Sequence, residues 1–274
     1  MKIVNHFLYD SKGKQVTFKD SPNKKGVFIP SYLVIHYTAA TTAISCVNWF
    51  LNKNAQASAH LLISRDGTIT QFVAFNRISF HAGESQWAGH SGMNKHSIGI
   101  ELQNAGRLNK VSNKWVCPVD NKVVADDDVI IATHKNESIS RGWQAYTDAQ
   151  LEVSIEVSTA IIRHYKLKDV LGHEDISPLR KCDPGPAFPM GSFRSRVMGR
   201  SNEKIDTFEV NINGLNIRSG PGTQFQTILS DGLPVGTKVQ VLKREGNWSF
   251  VEVKDIVNNF MDLEGWVFSR FLSQ

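Results

Sequence analysis

Cysteine is scarce in this chain: Cys46, Cys117 and Cys182 are the only three among 274 residues. An odd number without close spacing argues against a disulfide-stapled scaffold and suits a reducing compartment. Long apolar runs are missing as well. Tyr32 to Ile35 and Val129 to Ala132 fall far short of the roughly 20 residues of a membrane-spanning helix, so no integral membrane association is expected. Glycine (20) and proline (9) are too few for a collagen-like or low-complexity chain. Near the start, Lys2 could open a signal peptide, but His6, Asp10, Lys12 and Lys14 interrupt any apolar stretch. The expectation is synthesis in the cytoplasm without a secretory signal, with action there or after release by another route. The composition that remains, 41% hydrophobic and 21% charged, fits one or two globular domains of roughly 100–200 residues each.

Charge is unevenly spread. Residues 205–274 carry six Lys and Arg against eight Asp and Glu, and residues 1–204 carry 25 against 18. A basic N-terminal part can meet an anionic partner such as a wall polymer. No basic stripe with interleaved aromatics is present, so nucleic acid is not an expected partner. A monomer is expected.

The texture changes near residue 200. The segment 193–207 is polar and weakly periodic, which reads as a domain end with a linker at 201–206. Beyond it, Val210–Ile212, Asn216–Arg218, Val239–Leu242, Trp248–Val253 and Gly265–Phe268 read as short strands separated by Gly and Pro turns. Five such strands suggest a small β-barrel over 207–274.

Residues 1–200 mix element types. Tyr32–His36 reads as a buried strand. Ile44, Val47, Phe50 and Leu51 recur at helical spacing. His60–Ser64 and Thr68–Phe72 flank an Asp66-Gly67 turn and read as a hairpin. Ser97–Leu102 alternates, with Ile98, Ile100 and Leu102 on one face and Glu101 on the other. A long helix fits Asp148–Tyr165, with Thr147 and Gln150 in capping-box spacing and an apolar face of Leu151, Ile155, Ile162 and Tyr165. Asp169–Leu171 reads as a further strand. The fold class expected is α/β: a mixed central sheet covered by helices, followed by a small β-barrel.

The chemistry-bearing residues sit at strand ends. His36 closes one strand and His173 follows another. Asp183 lies ten residues on, in a loop stiffened by Pro178, Pro184, Gly185 and Pro186. Two imidazoles and a carboxylate with a fourth position open form the ligand set of a catalytic zinc. Glu101, desolvated among apolar neighbours, is the candidate general base. Lys181 can place a cation beside a developing oxyanion. A histidine at a strand end, taken singly, is more often structural; the weight comes from the coincidence.

Several stretches bear a family resemblance. They are Val34-Ile-His-Tyr-Thr-Ala39, Ala57-Ser-Ala-His-Leu-Leu-Ile-Ser-Arg-Asp-Gly67, Phe80-His-Ala-Gly83, Ser97-Ile-Gly-Ile-Glu-Leu102, Tyr146-Thr-Asp-Ala-Gln150 and Gly172-His-Glu-Asp-Ile-Ser-Pro-Leu-Arg-Lys-Cys-Asp-Pro-Gly-Pro186. In this order the chain resembles the zinc N-acetylmuramoyl-L-alanine amidases of the type-2 family, which also holds the peptidoglycan recognition proteins. The resemblance implies Zn2+ held by His36, His173 and Asp183, with Glu101 and Lys181 as catalytic residues. It implies cleavage of the amide between the lactyl group of N-acetylmuramic acid and L-alanine, in peptidoglycan or muropeptides. His60 and His81 lie in matching motifs; substrate contact or support of the metal ligands stands level with hydrogen-bonded packing for each. Asn94 is a further substrate-binding candidate.

Two features depart from the family pattern. Cys182 stands between Lys181 and Asp183, where a small residue is expected; its side chain should point away from the metal. Residues 107–143 look like an insertion bordering the cleft. The C-terminal part is similar to bacterial SH3 domains through Gly214-Leu-Asn-Ile-Arg-Ser-Gly-Pro-Gly222, Leu233-Pro-Val-Gly-Thr-Lys-Val239, Trp248 and Gly265-Trp-Val267. That likeness implies wall targeting, with Trp266 expected in the core. Two alternatives remain at this point: a non-catalytic peptidoglycan receptor, and a cytoplasmic recycling amidase for soluble anhydro-muropeptides.

Overall fold

The computed structural model describes residues 1–198, 207–258, 260 and 263–273. The expected linker at 201–206 lies outside the described residues. Two compact units emerge, Met1–Ile130 with Arg141–Phe188, and Ile131–Ser140 with Pro189–Gln274. The division therefore falls earlier than the expected boundary at 200, and ten residues of the insertion group with the second unit. Part of the reason lies in the Met190–Val197 helix. Its Gly191 lies against the Glu252 and Glu264 carboxylates of the second unit, where a Cβ would come within 2.2 Å of Glu264 Oε1.

The first unit is built on a six-stranded mixed sheet. Its order is Asp169–Gly172, Tyr32–Tyr37, Ser97–Leu102, Leu61–Ile63, Ile69–Gln71 and Thr17–Phe18. The first four are mutually parallel, and the Leu61–Ile63 and Ile69–Gln71 pair is the antiparallel hairpin expected around Gly67, whose φ is +82°. Tyr32 to His36 are all buried, as a continuous apolar strand requires when both faces of a sheet are covered. The alternation of Ser97–Leu102 is weaker than its sequence suggests, because five of its six residues are buried.

The Asp148–Tyr165 helix forms with the expected capping box. Thr147 Oγ1 accepts from the Gln150 N–H at 3.2 Å, and Gln150 Oε1 accepts from the Thr147 N–H at 3.3 Å. Its buried face differs from the expected one. Gln150, Ser154, Val157, Ser158, Ile161 and Ile162 are inside, whereas Leu151, Ile155 and Tyr165 are half-buried. Gln150 is held there by its Nε2 donating to the Gln103 and Ile63 carbonyls. The short helix Ala43–Leu51 likewise buries Cys46, Val47 and Phe50 and leaves Ile44 59% exposed.

After Leu102 the chain enters an antiparallel ribbon. Lys114–Val116 pairs with Arg107–Val111 and with Val123–Val124, and Arg107 and Leu108 pair with Trp143 and Gly142. Its tip is tied back toward the sheet: Asp120 Oδ2 accepts from the Thr41 N–H at 2.9 Å and from its hydroxyl at 2.5 Å.

The second unit holds a five-stranded antiparallel sheet in the order Glu264–Phe268, Trp248–Val253, Lys238–Glu245, Thr207–Val210 and Leu272–Ser273. Phe208, Leu215, Ile217, Leu233, Val239, Val251 and Val267 form its core. Asn216–Arg218, expected as a strand, makes only isolated bridges. Trp266 is not core. Residues 265 and 267 point inward, so strand alternation turns Trp266 outward beside Phe250 and under the Lys243 ammonium.

Candidate active site

Parallel pairing in register brings the chemistry together. Glu101 sits directly opposite His36, and Gly172 opposite Ile35, so His173 follows at the level of His36. Three neighbouring strands thus end at one edge of the sheet, where α/β folds commonly place ligands.

The loop after His173 folds back to deliver Asp183. Gly172 caps a one-turn helix, His173–Ile176, with its N–H donating to Asp175 Oδ2 at 2.6 Å. Buried Glu174 then holds the returning strand of the loop: its N–H donates to the Asp183 carbonyl at 2.9 Å, and its Oε2 accepts from the Gly185 N–H at 3.2 Å. Tyr146 donates its hydroxyl to the Pro184 carbonyl at 2.8 Å. The result is a tight cluster. His36 Nδ1 lies 2.9 Å from His173 Nδ1, and both lie 3.0 Å from Asp183 Oδ2.

These residues fit a metal ion. All three offer ligand atoms within 4.8 Å of one another, and all three are buried. His173 Nε2 lies 3.0 Å from the Ala82 carbonyl, an acceptor only, so the ring proton belongs there and Nδ1 turns a lone pair inward. Burial, then the neighbouring His173, lowers the His36 pKa to about 4 against the pull of Asp183. The ring is therefore neutral at pH 7 and free to be a ligand. Tetrahedral donors at about 2.0–2.2 Å from one zinc stand about 3.3 Å apart, a few tenths of an ångström wider than here.

Glu101 lies in the same cavity of about 610 Å³, with His36, His81, His173, Lys181 and Asp183. Its Oε2 is buried without a hydrogen-bond partner. Burial, reinforced by Asp183 and opposed by Lys181, raises its pKa to about 8. A bound cation would act in the same direction as Lys181. Cys182 turns from the cluster, its sulfur 3.1 Å from the Tyr37 hydroxyl.

The three remaining sequence candidates divide. His81 lines the cavity, with Nδ1 2.9 Å from His36 Nε2. His60 is fully buried and outside the cavity wall. Its Nε2 faces the Arg77 carbonyl at 2.9 Å, and its Nδ1 accepts from the Gly99 N–H at 3.0 Å. Both ring nitrogens are thus spent on packing, and the expected substrate contact has no free atom. Asn94 spends its Oδ1 on the His81 and Ala82 N–H groups, at 2.9 and 2.7 Å, and is likewise absent from the cavity wall. Sequence reading missed Trp49, Phe80, Val119 and Arg180, which do line it. Trp49 carries a usable signal: it lies off the apolar face of its helix and is 54% exposed.

Residues 26–186, more than half of the chain, match the family model described as N-acetylmuramoyl-L-alanine amidase, and residues 213–273 match the bacterial SH3 domain. The chain is 37% identical over 144 residues to 1,6-anhydro-N-acetylmuramyl-L-alanine amidase AmpD of Escherichia coli (strain K12), covering 52% of this chain and 59% of that one. It is 30% identical over 176 residues to N-acetylmuramoyl-L-alanine amidase AmiD of the same organism, covering 61% and 53%. The match therefore spans a little over half the length of these relatives. A crystal structure of a Se-Met AmpD derivative superposes with a TM-score of 0.50 at 27% identity, over 72% of this chain and 99% of that one. On the family match, the chain belongs to the N-acetylmuramoyl-L-alanine amidase family.

Proposed function

We propose that this chain is a zinc-dependent amidase that hydrolyses the bond between the lactyl carboxyl of N-acetylmuramic acid and L-alanine. The supporting observation is the buried, partnerless Oε2 of Glu101 beside the His36, His173 and Asp183 cluster in one cavity. His36, His173 and Asp183 would hold the zinc. When bound, the ion supplies Lewis-acid polarisation of the carbonyl and lowers the pKa of water toward about 7. Glu101 takes the proton from the attacking water on its free oxygen and returns it to the departing alanine nitrogen. A group with a raised pKa suits both halves of that exchange. Lys181 stabilises the oxyanion of the tetrahedral intermediate. A receptor would need none of this proton-handling machinery, so the enzyme reading is preferred.

The second unit favours polymer or large wall fragments as substrate, because bacterial SH3 modules resemble wall-targeting domains. The names of the AmpD relatives point instead to anhydro-muropeptides. The test is chromatographic detection of peptides with a free L-alanine amine, released from sacculi and from a soluble anhydro-muropeptide, with and without chelator. Release that chelator abolishes and zinc restores supports the reading. No release from either substrate with zinc present overturns it. Among the described residues no helix is long and apolar enough to cross a membrane.

A further inference from the structure

His81 stands outside the three-atom cluster, and its neighbours dictate where its proton lies. Its Nε2 is 3.2 Å from the Ser97 carbonyl and 3.3 Å from the Ser97 hydroxyl oxygen. The carbonyl can only accept. The hydroxyl donates its own proton to the Met93 carbonyl at 2.7 Å, so toward His81 it accepts too. Both neighbours demand a proton on Nε2, which leaves Nδ1 of the neutral ring a lone pair. That Nδ1 faces His36 Nε2 at 2.9 Å. His36 must then carry its proton on Nε2, and its Nδ1, the atom facing His173 and Asp183, is left bare.

The ring is held in place for this task. The His81 N–H is fixed by Asn94 Oδ1, and the ring meets His36 edge-on at 79°. Gly99 makes the room: a Cβ there would lie 2.5 Å from His81 Cγ. The alternative state is visible as well. With the proton on Nδ1 instead, His36 would donate to Asp183 Oδ2 across the 3.0 Å between them, and the ligand position would be closed.

We infer that His81 is a positioning residue that relays the preference of the Ser97 carbonyl to His36, fixing the tautomer whose Nδ1 can bind a metal. The inference rests on the metal-binding reading above. It predicts different behaviour for two substitutions. His81→Phe keeps an aromatic ring but neither accepts nor donates. His81→Gln keeps one acceptor for His36 and one donor for Ser97.

The experiment uses the full chain stripped of metal, with Zn2+ affinity measured by competition against a chromophoric chelator. Long-range 1H–15N NMR of the wild type reads the His36 tautomer directly. The expected results are an Nε2–H tautomer, Zn2+ affinity weakened about 10–100-fold in His81→Phe, and recovery of most of that loss in His81→Gln. A wild-type His36 protonated on Nδ1 overturns the inference even if His81→Phe does not fold. So does a folded His81→Phe protein that binds Zn2+ as tightly as wild type. A wild-type chain that binds no Zn2+ would overturn the metal-binding reading itself, which separates the two failures.

Discussion

Replacing Glu101 by Gln should make the protein inactive and, at alkaline pH, more stable. The reasoning follows from the raised pKa. An unfolded chain ionises this carboxyl near 4.5, whereas the folded chain holds the proton to about 8. Between those values the folded state binds more protons than the unfolded one, so stability falls as pH rises; below 4.5 and above 8 it is flat. Glutamine has no such proton. From pH 6 to pH 8 the stability of Glu101→Gln relative to wild type should therefore rise by about 2 kcal/mol. His36 and Asp183 are present in both proteins, so their own titrations largely cancel in the difference. The assay is denaturant unfolding of chelator-treated protein at both pH values, beside peptide release from a muropeptide with zinc restored. Loss of general base catalysis should cost roughly 10²–10⁴-fold in kcat. A stability difference that does not change with pH would refute the claim that burial perturbs Glu101. A variant with unimpaired release would refute its role as base.

Three other outcomes are expected. Lys181→Met should lower kcat at least tenfold with little change in KM, because its charge acts on the developing oxyanion; a change confined to KM would count against this. Gly99→Ala should destabilise the chain by about 1–3 kcal/mol by forcing His81 from its place, read as a lower thermal midpoint together with weaker zinc binding. Thr147→Ala should cost about 1 kcal/mol through loss of the helix cap, measurable by denaturation, with peptide release unchanged at a temperature where the protein stays folded.

Local signals made much of the scaffold legible. Tyr32–Tyr37 announces itself as an apolar β-branched run, and Asp148–Tyr165 through its capping box. His36, Glu101 and His173 all stand at or near strand ends, and it is the family resemblance that implies their grouping. What stayed hidden depends on non-local partners. His60 is consumed by the Arg77 carbonyl and the Gly99 N–H, neither of which its motif reveals. The buried face of the long helix is chosen by small serines and by Gln150 reaching backbone carbonyls of other segments, against the apolar periodicity. Trp266 and Val267 are adjacent, and only the pairing register decides which one faces inward. The cavity wall gathers Trp49, Phe80 and Val119 from three distant stretches, and proximity of that kind leaves no local signature.

The alignment of Glu101 with His36 also dictates where this chain can change length. Adding or deleting one residue within either strand would rotate one partner to the far side of the sheet, destroying the arrangement outright rather than weakening it. No such register binds the exposed Ser112–Asn113 turn of the ribbon that begins at Arg107. A change in length is thus tolerable at that turn, while the spacing of the reactive groups is locked by the ladder beneath them.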